Sequence, residues 1–208
     1  MMDGMRTEVT TADELRAIVG QPTAAVANKV SDRLSDIHRD WISHSPLCFV
    51  ATTDAAGRVD VSPKGDPAGF VHVLDAHTIA IPERPGNKRV DGYLNVLQNP
   101  RVGTLFVIPG RGDTVRVNGL AKILSDAPYF DAMAVKGKRP ILALEVTVEE
   151  VFFHCAKAFL RSDAWKPDTW NPDAMPSTAQ LARSFKPDLT LEQLQAYYAE
   201  EHLRTLLY

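Results

Sequence analysis

Between Pro46 and Phe153 apolar residues recur at every second position in short runs, and the runs are separated by the residues that tight turns require. This leaves few architectures open. Half-buried strands with short connections pair antiparallel, and a chain with many of them tends to close its sheet, because closure removes exposed edges. Leu47 to Thr53 reads as a buried strand, DAAG at 54–57 as a turn, and Arg58 to Lys64 as the return strand of a hairpin, with Val59 and Val61 on one face. After GDPAG come Phe70 to Leu74 and then Thr78 to Ile81. A helical stretch opens at ERPGNKR, runs through Leu94 and Leu97, and stops at Asn99 and Pro100. Val102 to Ile108 and Thr114 to Leu124 flank PGRGD, a second hairpin signal, and a short helix falls around Ala127 to Met133. Ile141 to Phe153, rich in β-branched and aromatic residues, predicts a long last strand. The expectation is a mainly β fold of six or seven antiparallel strands with one inserted helix.

Both flanks read as helical. From Thr11 to about His44, Thr11 and Glu14 have capping-box spacing, and Val26, Val30, Leu34, Ile37 and Trp41 form an apolar stripe. Two surfaces could cover that stripe, the rest of its own domain or a dimer partner. Beyond Cys155 come AKAFLRS, a Trp/Pro-rich loop at 163–176, STAQLARSF, and a final helix with Thr190 and Gln193 at capping-box spacing and Leu191, Leu194, Tyr198 and Leu203 as its apolar positions. The chain is thus divided into an N-terminal helical segment packed on the sheet (1–45), a barrel domain (46–167) and a C-terminal helical extension of it (168–208).

Charge and composition exclude several classes of function. Twenty-three Lys and Arg against twenty-six Asp and Glu leave a net charge of -3, so the chain as a whole has no electrostatic drive toward nucleic acid or anionic lipid. No apolar run approaches the ~20 residues of a membrane-spanning helix. The acidic N-terminus lacks the basic and then apolar pattern of a signal peptide, which points to the cytoplasm. Cys48 and Cys155, far apart and without a CxxC, are expected to be reduced and buried. GDPAGF lacks GxGxxG spacing, PGNKR lacks the upstream glycine of a Walker loop, and there is no GxSxG elbow. The six histidines never take HExxH spacing, so no metal site is expected.

What stands out is where the cations fall. Lys64 ends a strand, Arg84 follows another, Lys88 and Arg89 open a helix behind Gly86 and Asn87, and Arg116 lies within a later strand. A helix N-terminus presents unpaired N–H groups and a partial positive charge, and Asn87, Lys88 and Arg89 there suit a phosphate dianion. The alternative is a set of solvated surface charges. His154, Lys157 and Arg161, at steps of three and four beside Trp165, would share one face if a helix begins there, lining either a planar ligand or only solvent.

The segment from SPKGDPAGF through IPERPGNKR, NPRVGTLFVIPG and RVNG to FFHCAKAFLRS and a Trp resembles the FMN-binding split-barrel family related to pyridoxamine 5'-phosphate oxidase, over about residues 45–167. The resemblance implies a six-stranded antiparallel split barrel, a homodimer, and FMN in two equivalent clefts at the dimer interface. It places Ser62, Pro63 and Lys64 beside the isoalloxazine ring and Asn87, Lys88 and Arg89 at the phosphate, with Arg84 just upstream. Thr114 and Arg116 are implied to approach from the other subunit, and His154, Lys157, Arg161 and Trp165 to form a C-terminal wall. Lys64 is the leading residue for tuning the flavin and Arg116 the second; no catalytic acid or base is expected. The C-terminal YYAEEHLRTLLY lacks the Arg/His segment of the oxidases proper, so pyridoxamine phosphate is not the expected substrate. The implied activity is an FMN-dependent oxidoreductase acting on a small organic molecule. A deazaflavin-dependent reductase and a non-catalytic flavin or haem binder are the alternatives.

Overall fold

The computed structural model describes residues 7–208, which fall into two units, residues 7–30 and Ser31–Tyr208. Residues 1–6, part of the N-terminus read above for a signal peptide, lie outside the described residues. In the first unit, helix α1 (Ala12–Val19) opens on the expected capping box, in which the Thr11 hydroxyl accepts from Glu14 N–H and the Glu14 carboxylate accepts from Thr11 N–H. A single turn, α2 (Ala24–Ala27), follows, and neither helix has a buried residue.

The second unit opens with a correction to the apolar stripe. It is not one helical face, because Ser31 exchanges backbone hydrogen bonds in both directions with Val151, which holds the chain extended there, and a new helix, α3 (Asp36–His44), starts at Ser35. Of the stripe, Leu34 and Trp41 enter the core, whereas Val26, Val30 and Ile37 are exposed. α3 has a capping box of its own: the His38 ring nitrogen Nδ1 accepts from Ser35 N–H at 3.2 Å.

Seven strands follow: β1 (Leu47–Thr53), β2 (Val59–Gly65), β3 (His72–Val73), β4 (Thr78–Glu83), β5 (Arg101–Val107), β6 (Thr114–Leu124) and β7 (Leu142–His154). β3, inside the expected run Phe70 to Leu74, is only a two-residue strand, so the sheet has seven strands where the residues suggested six or seven and the resemblance implied six. All pairings are antiparallel, in the order β2-β1-β5-β6-β7-β4-β3. Alternation sets one face inward: Cys48, Val50, Phe106, Val115, Val117 and Val146 join Ile79 and Ile81 in one core, covered at one side by Trp41 and Ile42 of α3. Helix α4 (Asp91–Val96) lies between β4 and β5 and packs Tyr93 and Val96 into the same core.

A β-bulge between Asn118 and Gly119 bends the long β6–β7 hairpin. Gly119 is required there, because a Cβ would overlap the Thr147 carbonyl of the opposite strand. The curled sheet does not close by a ladder from β2 to β4. Side chains bridge that split: Lys64 pairs with Glu83, and just beyond the two strand ends Asp66 pairs with Arg84. This is the split barrel that the family resemblance implied.

After β7 come α5 (Lys157–Ser162), α6 (Thr178–Ala182), α7 (Leu191–Tyr198) and α8 (Glu200–Thr205). α7 begins with the expected Thr190–Gln193 capping box, and its Leu194 packs against Ala179 and Ala182 in a small separate core. Among the described residues no helix is long and apolar enough to cross a membrane.

Candidate functional site

A concavity opens at the split between β2 and β4. A cleft of about 670 Å³ is lined by β1 and β2, the end of β4, the loop 84–90 and the start of α4. Its size falls within the range of small-molecule sites, and its walls combine Val50, Ile141 and Leu144 with the polar Ser62, Asn87, Lys88 and Arg89. Seven of the residues singled out above, Ser62, Pro63, Lys64, Arg84, Asn87, Lys88 and Arg89, come together here although they derive from two segments some twenty residues apart.

Hairpin register explains the strand contribution. Ser62 faces Val50 and Lys64 faces Cys48 across the β1–β2 ladder, so both hydrophilic side chains share the inner face of the sheet at its unpaired edge. Lys64 does not stand as a free cation. It is paired with Glu83, whose Oε2 also accepts from the Tyr93 hydroxyl at 3.0 Å. Both members of the pair are about five-sixths buried, at 17% and 16% side-chain exposure, so loss of either one would strand a charge at a cost of ~3–5 kcal/mol. Burial, and then the Glu83 charge, push the Tyr93 phenol far above its ordinary value, so Tyr93 is a donor at any physiological pH. Burial pushes the Cys48 thiol up to about 12, with Lys64 pulling weakly the other way.

The loop differs from expectation. Helix α4 is short and starts at Asp91, so Lys88 and Arg89 precede it instead of occupying its first turn, and Asp91 takes the place at the helix end. The chain reaches that start through left-handed conformations at Lys88 (φ 64°) and Val90 (φ 50°), the latter unfavourable for a β-branched residue. The Asn87 carboxamide accepts from Arg89 N–H at 3.0 Å, which fixes the turn and directs the two basic side chains outward. Arg89 is well exposed and donates to Asp91 at 2.7 Å, a pair weak enough in water to be exchanged for a phosphate. Any anion site here is therefore made by loop cations and not by a helix end.

Arg84 lines the cleft, but its guanidinium is engaged elsewhere. Nε donates to Asp66 Oδ2 at 2.6 Å, Nη2 to the Met133 carbonyl at 2.7 Å and Nη1 to the Lys138 carbonyl at 3.4 Å. It ties three segments together.

The remaining sequence candidates lie apart from this cleft. Thr114 pairs with His154 across the β6–β7 ladder, and Arg116 lies opposite Phe152, 4.1 Å above its ring, with its Nε buried and without a hydrogen-bond partner. His154 ends β7 and is not helical, so the expected face of His154, Lys157 and Arg161 does not form: the strand continues to His154 and α5 starts only at Lys157. Lys157 and Arg161 are exposed. Trp165 stacks on Phe159 and donates to the Arg111 carbonyl at 2.7 Å. Of the thiols, Cys48 is buried as expected, but Cys155 is exposed because it leaves the strand before α5. No cluster of three or more metal-ligating side chains occurs among the described residues.

Sequence reasoning missed Glu83, Tyr93 and Asp66. A signal for Glu83 existed: an acidic residue at the end of the apolar run TIAIPE must find a partner once it is buried.

The chain matches the family model described as pyridoxamine 5'-phosphate oxidase over residues 34–155, more than half its length. Among solved structures it is similar to HupZ of Group A Streptococcus, at 23% identity and a TM-score of 0.47 over 58% of this chain and 93% of that one. It is also similar to a candidate pyridoxamine 5'-phosphate oxidase from Lactobacillus delbrueckii, at 25% identity and a TM-score of 0.46 over 59% and 95%. A third is an FMN-binding protein from Syntrophomonas wolfei, at 14% identity and a TM-score of 0.43 over 57% and 89%. The comparison with curated proteins finds no match.

Proposed function

The chain belongs to the pyridoxamine 5'-phosphate oxidase family, and from that premise we propose that the cleft between β2 and β4 binds FMN and that the protein is an oxidoreductase for a small organic substrate, though not for pyridoxamine phosphate. The observation that carries the reading is the meeting, in one cleft of about 670 Å³, of an apolar and hydrogen-bonding wall with a strained loop bearing Lys88 and Arg89. A flavin needs both: a flat, mostly apolar slot for its ring and cations for its phosphate.

The division of labour follows from the geometry. Arg89 and Lys88 would hold the phosphate, since they are exposed and their loop is held by the Asn87 turn. Ser62 and Pro63 would run beside the ring, with Val50, Ile141 and Leu144 keeping water from it. Lys64, held in place by Glu83 and Tyr93, would set the charge at the ring's edge. When bound, FMN supplies the redox chemistry itself, and the chain need only orient it and expose one face.

The protein is proposed to act as a homodimer. Val59, Val61 and Phe49, on the outer face of β1 and β2, are exposed apolar residues that a second copy would cover. In that dimer Arg116, remote from its own chain's cleft and with its guanidinium partly exposed beside Glu150, would serve the partner's, whereas Thr114 is buried within its own sheet and would support that strand without touching the ligand.

Titration of FMN followed by quenching of its fluorescence tests the site. Replacing both Lys88 and Arg89 by Ala is expected to cost about 1.5–3 kcal/mol for each charge-assisted hydrogen bond to the phosphate that is removed, at least a tenfold weakening. Equal affinity in the variant and the parent would remove the phosphate assignment.

A further inference from the structure

Tyr208 closes on Asp66, the partner of the cleft-lining Arg84. The Tyr208 hydroxyl donates to Asp66 Oδ1 at 2.6 Å, 142 positions away in sequence, while Asp66 Oδ2 accepts from Arg84 Nε at 2.6 Å. Asp66 is almost wholly buried, at 3% side-chain exposure, so each of its oxygens needs a donor, and the two donors come from segments far apart in the chain. The Tyr208 ring lies between two cations, 5.8 Å from the Arg84 guanidinium and 5.3 Å from Lys136 Nζ. Arg84 in turn begins the loop 84–90 and holds the Met133 and Lys138 carbonyls. One phenol therefore completes a network joining the end of β2, the end of β4 and the turn at 133–138.

We infer that Tyr208 is a positioning residue for the cleft: through Asp66 it fixes Arg84 and so the loop that carries Asn87, Lys88 and Arg89, and it couples docking of the C-terminal segment to ligand binding. Coupling of this kind is reciprocal, so a ligand held by the loop must also hold the tail in place. The Asp66 carboxylate keeps the phenol protonated to higher pH than usual, so the latch stays closed across the physiological range. The inference rests on the reading of this cleft as an FMN site only for the identity of the ligand; the latch itself requires no ligand.

Hydrogen exchange separates the two. In the cofactor-free protein, Tyr208→Phe, which keeps the ring and removes the donor, is expected to speed amide exchange in residues 84–91 and 133–138 and to leave the β5–β6 core unchanged. Added FMN is expected to slow exchange in residues 200–208 of the parent protein and to do so less in the variant, and the variant should bind FMN several-fold more weakly. Unchanged exchange at 84–91 in Tyr208→Phe would overturn the latch. Faster exchange there with an unchanged FMN dissociation constant, or without protection of the tail by FMN, would overturn the coupling. If the parent protein binds no FMN, the assigned cofactor falls, and the comparison of the two cofactor-free proteins still decides the latch.

Discussion

At the scale of single residues, the side chains that look reactive in the sequence are the ones most constrained by partners. Lys64 and Arg84 read as free cations aimed at an anion, yet each is answered by a carboxylate within the fold, whereas Lys88 and Arg89 line the same cleft where solvent or a ligand can reach them. A buried ion pair contributes little net stability, because desolvation offsets most of the Coulomb gain, but it places its charges closely. His38 shows the same logic with a proton. Burial holds its imidazole below the ordinary value of 6.5, and Nδ1 must be unprotonated to accept from Ser35 N–H. As pH falls, the unfolded chain is therefore protonated first. Stability from this site is full above about 6.5 and is lost from there down to the lowered folded value. Urea unfolding is expected to show a loss of ~1 kcal/mol in that window, absent in His38→Gln, which keeps the cap without a titrating ring. A pH response of equal size in both proteins would show that other groups govern it.

At the scale of elements, strand boundaries were the most legible part. β1 and β6 coincide with the runs that alternation picks out, and the DAAG turn forms as expected, with Asp54 accepting from both Ala56 and Arg58 N–H groups. These features depend on neighbours in sequence, and so does each capping box. The start of α4 was not legible, because left-handed backbone at Lys88 and Val90 contradicts their local preferences and is imposed by the surrounding fold. The broken stripe between Val26 and Trp41 was hidden for the same reason: distant partners, Val151 for Ser31 and the Ala76 carbonyl for Leu34, hold the segment out of a helix. In the site, the cations were readable from their positions at strand ends. Their partners were not: Glu83 meets Lys64 across 19 residues, Asp66 meets Arg84 across 18, and Tyr208 reaches Asp66 across 142, which no local rule anticipates. The β6–β7 bulge carries its own test. Gly119→Ala puts a methyl group against the Thr147 carbonyl and is expected to cost about 1–3 kcal/mol, read as a lower midpoint of chemical unfolding. Full stability in that variant would mean the bulge shifts freely.

At the scale of the whole molecule, the barrel is held open on one side. Six of its seams are backbone ladders, while the seventh, between β2 and β4, is made of side chains from Lys64, Glu83, Asp66 and Arg84. A ladder there would fill the space that the cleft occupies, so the same break that costs the sheet its closure creates the site. The C-terminal segment returns to this seam through the Tyr208 hydroxyl, which donates to Asp66. The outer face of β1 and β2 exposes Phe49, Val59 and Val61, the face that the proposed homodimer would cover. The most direct test of the central claim is to release and identify by mass whatever chromophore copurifies with the protein, after reconstitution with FMN if the protein is colourless. The account expects FMN, one per chain, and loss of that stoichiometry when Lys88 and Arg89 are both replaced by Ala. Failure of the intact protein to retain FMN under these conditions, or retention of haem or a deazaflavin in its place, would contradict it.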